Sequence, residues 1–393
     1  MNIIVFEDSS VKDLYPFTIN HASFEIKVGR LSNIERILGC ISINDKVFLY
    51  VRDEIEELVK DRYPSLIVNS KIIPSGIAIN GSSVWTKELF ESLDKNQIYS
   101  SNGKLVALSI ENSIDKNDLD DLLSKSMQIT RNINITHISY LWDAISFIHD
   151  CIELDCQMLS RFKCSLDPSI IQLNEENIFI SESCFISPGC IIDAHAGPVI
   201  IDDNAMVDIG ALIKGPIYIG KNVVINPGSK LRGKVSIGDY SKIGGELSNV
   251  IIQGYTNKQH DGFLGNSFLG EWVNLGANTN NSNLKNNYSD VKVRLGLNKL
   301  INTNQKFIGS FIGDYTRTAI STMLNTGTVI GFGTNIFGEG FQKKEIGSFA
   351  WGNEDKVELN KFIDTIEIMK QRRGQSISDA ERSFIIQLYN QSN

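Results

Sequence analysis

Aliphatic residues recur through the middle of the chain at a fixed step of six. Ile201, Val207, Ile213, Ile219, Ile225, Leu231, Ile237 and Ile243 keep this step without a break, and Ile312, Thr318, Leu324, Ile330 and Ile336 resume it. Such a period matches neither the 3.6 of an amphipathic helix nor the alternation of a half-buried strand. It is the period of a β-helix. Each unit is a short strand plus a corner, about 20 Å of chain at roughly 3.3 Å per residue. Three units close one triangular coil, with the aliphatic residue pointing to the axis. Gly220, Gly228, Gly233, Gly238, Gly244 and Gly245 stand near the corners, where some turns need positive φ. The regularity outweighs the right-handed crossover rule and predicts a left-handed parallel β-helix. A β-sandwich would need eight matches in register by accident.

The same pattern locates the interruptions. Ile180, Ile186 and Ile192 already keep step, so the coil is expected to begin near 178. Residues 193–198 shift the frame by three, which predicts a bulge or small loop. The repeat loosens between 244 and 263, resumes at Phe263, Leu269 and Leu275, and breaks across the Asn-rich stretch 278–306. Loops that interrupt a solenoid tend to sit where ligands bind.

Residues 1–150 read differently. Strand-like pieces at 2–6, 46–51, 65–69, 77–80 and 105–109 alternate with helix-like pieces at 30–38, 53–60, 87–93, 117–125 and 140–151. The alternation predicts a Rossmann-like α/β domain with a mainly parallel sheet, which would take ligands at the carboxyl ends of its strands. The remaining chain divides into a connector, 151–177, helical over 152–162; the β-helix, 178–352; and a helical extension, 353–393. In that extension Ser378 and Glu381 have the spacing of a capping box. Arg372 and Arg373 read as a solvated charge cluster.

Composition narrows the functional classes. The net charge of −8 argues against nucleic acid and anionic membranes as partners. No apolar run approaches a membrane span. The first residues read as a strand and not as a signal peptide. The six cysteines form no CxxC pair, which suits reduced thiols in a cytoplasmic protein. The five histidines form no HxxxH metal pair.

Chemistry concentrates in the loosened coils. His260 lies in an interruption, followed by Asp261-Gly262-Phe263-Leu264-Gly265. Asn274-Leu275-Gly276-Ala277-Asn278-Thr279 and Asn281-Ser282-Asn283-Leu284-Lys285 come after it. A neutral imidazole can take a proton from an attacking amine or hydroxyl near pH 7. Side-chain amides can hold a sugar, and a backbone N–H can stabilise an oxyanion.

These residues carry a resemblance. The stretches HDGFLG, VNLGANT and NSNLKN resemble the acetyltransferase half of the bifunctional N-acetylglucosamine-1-phosphate uridylyltransferase/glucosamine-1-phosphate acetyltransferase family. A sugar nucleotidyltransferase-like subfamily known from Bacteroidetes is similar over Gly244-Gly245-Glu246, 254–267, 270–288, 324–329, 348–352 and 369–381. The resemblance implies a trimer with the acyl donor, acetyl-coenzyme A, between neighbouring prisms. It implies His260 as catalytic base, Asn283 beside the acceptor sugar, Asn274 as a sugar contact, and Glu246 as part of the substrate-binding motif. Ala277, with Gly276, would line the coenzyme site. Phe263 stands where the family has Tyr, and Lys285 where archaeal relatives carry Arg.

The resemblance is weaker over 1–150. The larger family has a Gly-rich loop after the first strand for the triphosphate, whereas this chain has no glycine between Phe6 and Thr18. The subfamily shares that lack. Its pattern appears here as Pro16-Phe17-Thr18 and Glu25-Ile26-Lys27-Val28-Gly29, which marks Thr18 and Glu25 as substrate-binding candidates. Lys27 and Arg30 become the phosphate binders. Gly81-Ser82 replaces the strand-end Gly-Asp that holds the metal, and Asp143 is the alternative offered for Mg²⁺. The expected function is a sugar-1-phosphate nucleotidyltransferase coupled to a hexapeptide acyltransferase, using a sugar phosphate and a nucleoside triphosphate to make an N-acetylated, UDP-GlcNAc-like nucleotide sugar for cell-surface glycans. Two alternatives stay open: nucleotidyl transfer alone with the β-helix as trimerisation core, or a non-catalytic nucleotide-sugar scaffold.

Overall fold

The computed structural model describes every residue except 95, 127–129, 158, 160–165, 297, 298, 354 and 393. Strand β1, Asn2–Phe6, is apolar from its second residue onward because it is covered on both faces. Ile3 and Val5 pack on one side, against Ile34 and Ile37 of α1 (Asn33–Cys40), Leu58 and Val59 of α2 (Glu56–Arg62) and Phe90 of α3 (Lys87–Glu91). Ile4 and Phe6 pack on the other, against Leu119 and Leu123 of α4 (Leu119–Ser126). β2 (Lys46–Tyr50), β3 (Ile67–Val68) and β4 (Gly76–Asn80) join β1 in parallel.

The sheet is mixed but mainly parallel, as expected, with one of its seven strands running against the other six. β5 (Ile98–Ser101) and β6 (Lys104–Ile110) form an antiparallel hairpin against β4, and β7 (Arg131–Asn132) completes the order β3-β2-β1-β4-β6-β5-β7. Asn102 and Gly103 turn the hairpin with φ of 48° and 75°, the left-handed pair that suits strand twist. Periodicity alone leaves β5 unread, yet this Asn-Gly is its signal in the sequence.

The expected helix at 140–151 is two helices, α5 (Leu141–Ser146) and α6 (Ile148–Cys156). Much of the expected continuation to 162 lies outside the described residues. Both helices lie on one side of the prism. Trp142, Ile145, Ile148 and Ile152 pack against Ile200, Tyr218, Ile251, Phe268, Phe311 and Val329. Those outward residues are apolar because the α/β domain covers them, while their neighbours Ile201, Ile219 and Ile252 fill the axis.

Registers give the length of each coil. Ile217 pairs with Val235 and Val224 with Lys242, eighteen residues apart. Ile178 pairs with Val199, three residues more, which is the frame shift expected at 193–198. Val235 pairs with Val250, three fewer, in the loosened stretch. Asn280 pairs with Met323, 43 residues apart. The surplus is an arm closed by the bridge Leu284–Phe307, carrying the hairpin Lys292–Leu295 with Lys299–Asn302. Coiling begins at Ile171, earlier than the expected 178, since Ile171 already pairs with Ile191.

One corner is unusual. Asn204, Asn222, Tyr240, Tyr255, Trp272 and Tyr315 all have φ between 52° and 59°. Asn tolerates that region. The aromatics there stack, with ring centroids 5.2, 4.4 and 6.3 Å apart in succession. Each left-handed residue costs roughly 1–2 kcal/mol, and each aromatic pair returns about 0.5–1.5 kcal/mol. The C-terminal helices α7 (Leu359–Gln371) and α8 (Asp379–Gln391) cover the upper part of this ladder. Ser378 caps α8 as expected, accepting from the N–H of Glu381 at 3.1 Å. The Glu381 carboxylate instead takes the hydroxyl of Tyr315 and the ammonium of Lys370. Arg373 is not simply solvated, because it donates to Asn257 Oδ1 at 3.1 Å. α8 also packs on α2, so the tail ties both domains together. Among the described residues no helix is long and apolar enough to cross a membrane.

Candidate active sites of the two domains

His260 sits exposed on the corner between the side of the prism that carries Asn257–Lys258, the second, and the side that carries 263–265, the third. Neighbouring coils hold that corner. Asn226 Nδ2 donates to Gln259 O at 2.8 Å from below, and Asn278 N donates to Asp261 O at 3.0 Å from above. Gly262 has φ of 125°, and a Cβ there would lie 2.2 Å from Thr279 O, so only glycine fits. Gly276 and Ala277 form the next corner up, with Gly276 N donating to Thr318 Oγ1 at 2.9 Å and Ala277 O accepting from Ser321 N at 2.7 Å. The Phe263 ring lies across Gly265 beside Asn283 Nδ2, and that amide donates to Asn266 Oδ1 at 2.8 Å. Glu246 is one coil below Phe263 and pairs with Arg232 at 2.6 Å.

His260, Gly276, Ala277, Phe263, Glu246 and Asn283 therefore share one edge and the side it opens. Asn274 stands on the second side, in the ladder between Asn257 and Arg317. Lys285 is further off, at the root of the arm, with its Nζ donating to Asp290 O at 2.5 Å. Along the edge Ile209, Ile320 and Phe337 are exposed, at 57%, 75% and 39%.

Lys258 is a residue that sequence reasoning missed. It pairs with Ile243 and so occupies the inward aliphatic slot. Only 2% of it is exposed, and its Nζ donates to Gly244 O at 3.1 Å and to His260 O. Burial pulls this amine down to about 8, against the opposing pull of Asp261. Asn281 is a second polar residue in an inward slot, opposite Leu324, and grips Gly265 through both its amide atoms. A polar residue where the repeat demands an aliphatic one was the available signal.

In the α/β domain a cavity of about 340 Å³ opens at the carboxyl ends of β1 and β2, lined by Glu7, Asp8, Ser9, Arg52, Asp53, Lys116 and Asp120 among others. Arg52 binds Glu7 at 2.9 Å, His21 O at 2.9 Å and also Thr18 O. Lys116 pairs with Asp53 at 2.6 Å. Asp8 accepts from Ser10 N and Asn80 Nδ2, each at 2.8 Å. These two cations, Arg52 and Lys116, were also missed, because only folding brings positions 7, 52 and 116 together.

Of the residues expected here, Thr18 stands beside the crevice, against Arg52 and Val11, and the others are placed elsewhere. Arg30 Nε pairs with Asp202 of the β-helix at 3.2 Å. Thr18 Oγ1 donates to Val11 O at 2.9 Å. Lys27 and Glu25 line an inter-domain cavity of about 360 Å³, with Arg62, Tyr63, Tyr255 and Glu271 on its wall. Burial would raise Glu25, but Arg62 at 2.9 Å and His21 hold it at about 2. Asp143 caps α5, accepting from Tyr140 N at 2.9 Å and Ser139 N at 3.2 Å. Burial pushes it up to about 6, and it does not line the crevice. The crevice carboxylates, by contrast, are the hard oxygen donors Mg²⁺ prefers. His21, Glu271 and Asp314 also converge within 4.8 Å. Burial would lower His21, yet Asp314 at 2.8 Å draws its pKa up to about 9.

Comparison with known proteins agrees with this geometry. Residues 3–163 match the family model for sugar nucleotidyl transferases. Residues 216–246 match that for the bacterial transferase hexapeptide, six repeats. A bifunctional sugar-1-phosphate nucleotidylyltransferase/acetyltransferase from Sulfurisphaera tokodaii is 26% identical over 330 residues, covering 80% of this chain and 73% of that protein. The chain is thus a transferase that joins a region matching the sugar nucleotidyl transferase model to a prism carrying the hexapeptide repeat of bacterial transferases.

Proposed function

We propose that the two domains act on one product. The α/β domain joins a sugar 1-phosphate to a nucleoside triphosphate with release of pyrophosphate, and the β-helix acetylates an amino group of the sugar. The product is an N-acetylated nucleotide sugar of the UDP-GlcNAc kind, made in the cytoplasm for cell-surface glycans. The observation that carries the acyl-transfer half is the corner on which His260 stands exposed directly below Gly276 and Ala277.

His260 takes the proton released as the amine attacks the thioester carbonyl. The amide of Asn283 and the ring of Phe263 bound the acceptor, with Asn274 and Glu246 as further contacts. Gly276 and Ala277, small and close-packed, leave room for the acyl donor, which supplies the acetyl group when bound. The exposed Ile209, Ile320 and Phe337 on the same edge support assembly into a homotrimer whose clefts hold the donor.

In the other half Arg52 and Lys116 meet the triphosphate. Asp8 and Asp53 are the residues that would hold Mg²⁺, whose charge neutralises the phosphates. Lys27 and Arg30 then act at one remove, by fixing the domain interface.

Separate assays test the two halves. His260→Ala lowers thioester consumption about 10²- to 10⁴-fold and leaves pyrophosphate release unchanged. Full acetyl transfer by this variant removes His260 as base. Pyrophosphate release by the native protein without thioester consumption would make the β-helix an assembly core only.

A further inference from the structure

Beyond Asn283 the arm leaves the third side, and a cleft of about 480 Å³ lies between its root and the coils above. Lys285 and Asn287 line it from the arm; Asn325, Thr326, Phe341 and Lys344 line it from the coils. No carboxylate is among the lining residues, although the chain as a whole carries a net charge of −8. Lys285 Nζ contacts Asp290 O and Ser289 Oγ, and Lys344 Nζ contacts Thr326 Oγ1 at 3.4 Å. All of these partners are neutral. Elsewhere Lys60, Lys116, Lys125 and Lys370 each hold a carboxylate.

Both lysines line the same cleft. Burial and the charge of Lys285 together pull the amine of Lys344 below its usual range. The Oδ1 of Asn325 is occupied by Thr326 N at 2.8 Å, which leaves its NH₂ to donate. Phe341, 64% exposed, offers a flat apolar face. Facing cations, a spare amide donor and an aromatic platform are what a phosphate on a ring requires.

We propose that this cleft binds a phosphate ester, with Lys285 and Lys344 as charge partners, Asn325 as amide donor and Phe341 beneath the ring that bears the phosphate. A dianion placed between the two lysines turns their repulsion into attraction. The site deepens the acyl-transfer reading and rests on it, since Lys285 follows Asn283 by two residues. Two molecules of that reaction carry phosphate: the amino-sugar phosphate and the coenzyme.

Calorimetric titration of the full chain with glucosamine 1-phosphate and with adenosine 3′,5′-bisphosphate, at about 50 and 200 mM salt, separates them. In Lys344→Gln one probe binds about tenfold more weakly and with less salt dependence, while the other is unaffected. Loss of the sugar phosphate assigns the cleft to the acceptor; loss of the bisphosphate assigns it to the donor. Pyrophosphate release, seated in the distant α/β crevice, stays at the native rate and shows that the variant is folded. Equal affinity of native and variant protein for both probes overturns the proposal, and so does a native protein that binds neither. If the Lys344 effect is present but no thioester is consumed with any acceptor, the cleft stands and the acyl-transfer reading falls.

Discussion

A lysine in the wall of an aliphatic prism has to be justified by what its amine reaches. Lys258 reaches the carbonyls of Gly244 and His260, so its cost in desolvation is spent on fixing the backbone under the proposed base. Lys258→Met keeps the bulk in the slot and removes that grip. The unfolding free energy should change by no more than about 1 kcal/mol, because lost hydrogen bonds and relieved burial oppose one another. Acyl transfer should fall about tenfold or more through misplacement of His260, with pyrophosphate release unaltered. Denaturant unfolding and the two assays check this. A positioning role further requires that the pH profile of the residual activity keep its shape, since the base itself is retained. The general lesson at this scale is that residues which break a repeat, such as Lys258 and Asn281, were visible as violations before their partners were known.

At the scale of the element, the aromatic corner sets two opposed terms against each other. Trp272 stacks on Tyr255 and lies parallel to Tyr315 and is 4% exposed. Trp272→Ala loses these contacts and retains the strained φ of 59°, so it should destabilise by about 3–5 kcal/mol. Among the described residues Tyr240 stacks only on Tyr255, and it is 36% exposed. Tyr240→Gly loses one stack worth about 1 kcal/mol and gains a similar amount from relieved strain, so it should be nearly neutral. Urea unfolding of the two variants side by side measures the difference. Tyr240→Gly as costly as Trp272→Ala would show that strain is not what the ladder offsets. The coil lengths were legible beforehand because the six-residue rule is local. The frame shift at 193–198 and the break before the arm show as lost registers in the sequence itself. The hairpin of β5 and β6 was overlooked because its signal is a turn and not a period.

For the whole molecule the decisive feature is the buried contact between domains. His21 of the α/β domain meets Asp314 of the β-helix at 2.8 Å, and three strands lower Ser236 Oγ donates to Gly29 O at 2.8 Å. The folded state holds His21 at about 9, above the ordinary 6.5. Its contribution is therefore complete below about pH 6.5 and is lost as pH rises through about 9. Thermal unfolding of the native protein should weaken across that window relative to His21→Gln, whose stability should be lower at pH 6 and flatter with pH. Parallel curves for the two proteins would remove His21 as the titrating contact. Because α8 also bridges the domains, the loss should appear as a lower midpoint and not as separation into two transitions.

The order of residues by itself determined the prism, its interruptions, the cap of α8 and the region around His260, because each follows from spacing along a short stretch of chain. Only the tertiary structure decided which side of the prism the α/β domain covers, and so why Ile200, Tyr218 and Ile251 are apolar although they face outward. It turned Arg30 to Asp202 and Lys27 to the domain interface, and it assembled the strand-end crevice from Glu7, Arg52 and Lys116. Charge partners are chosen by distance in space, and no local period encodes a meeting between positions that lie scores of residues apart.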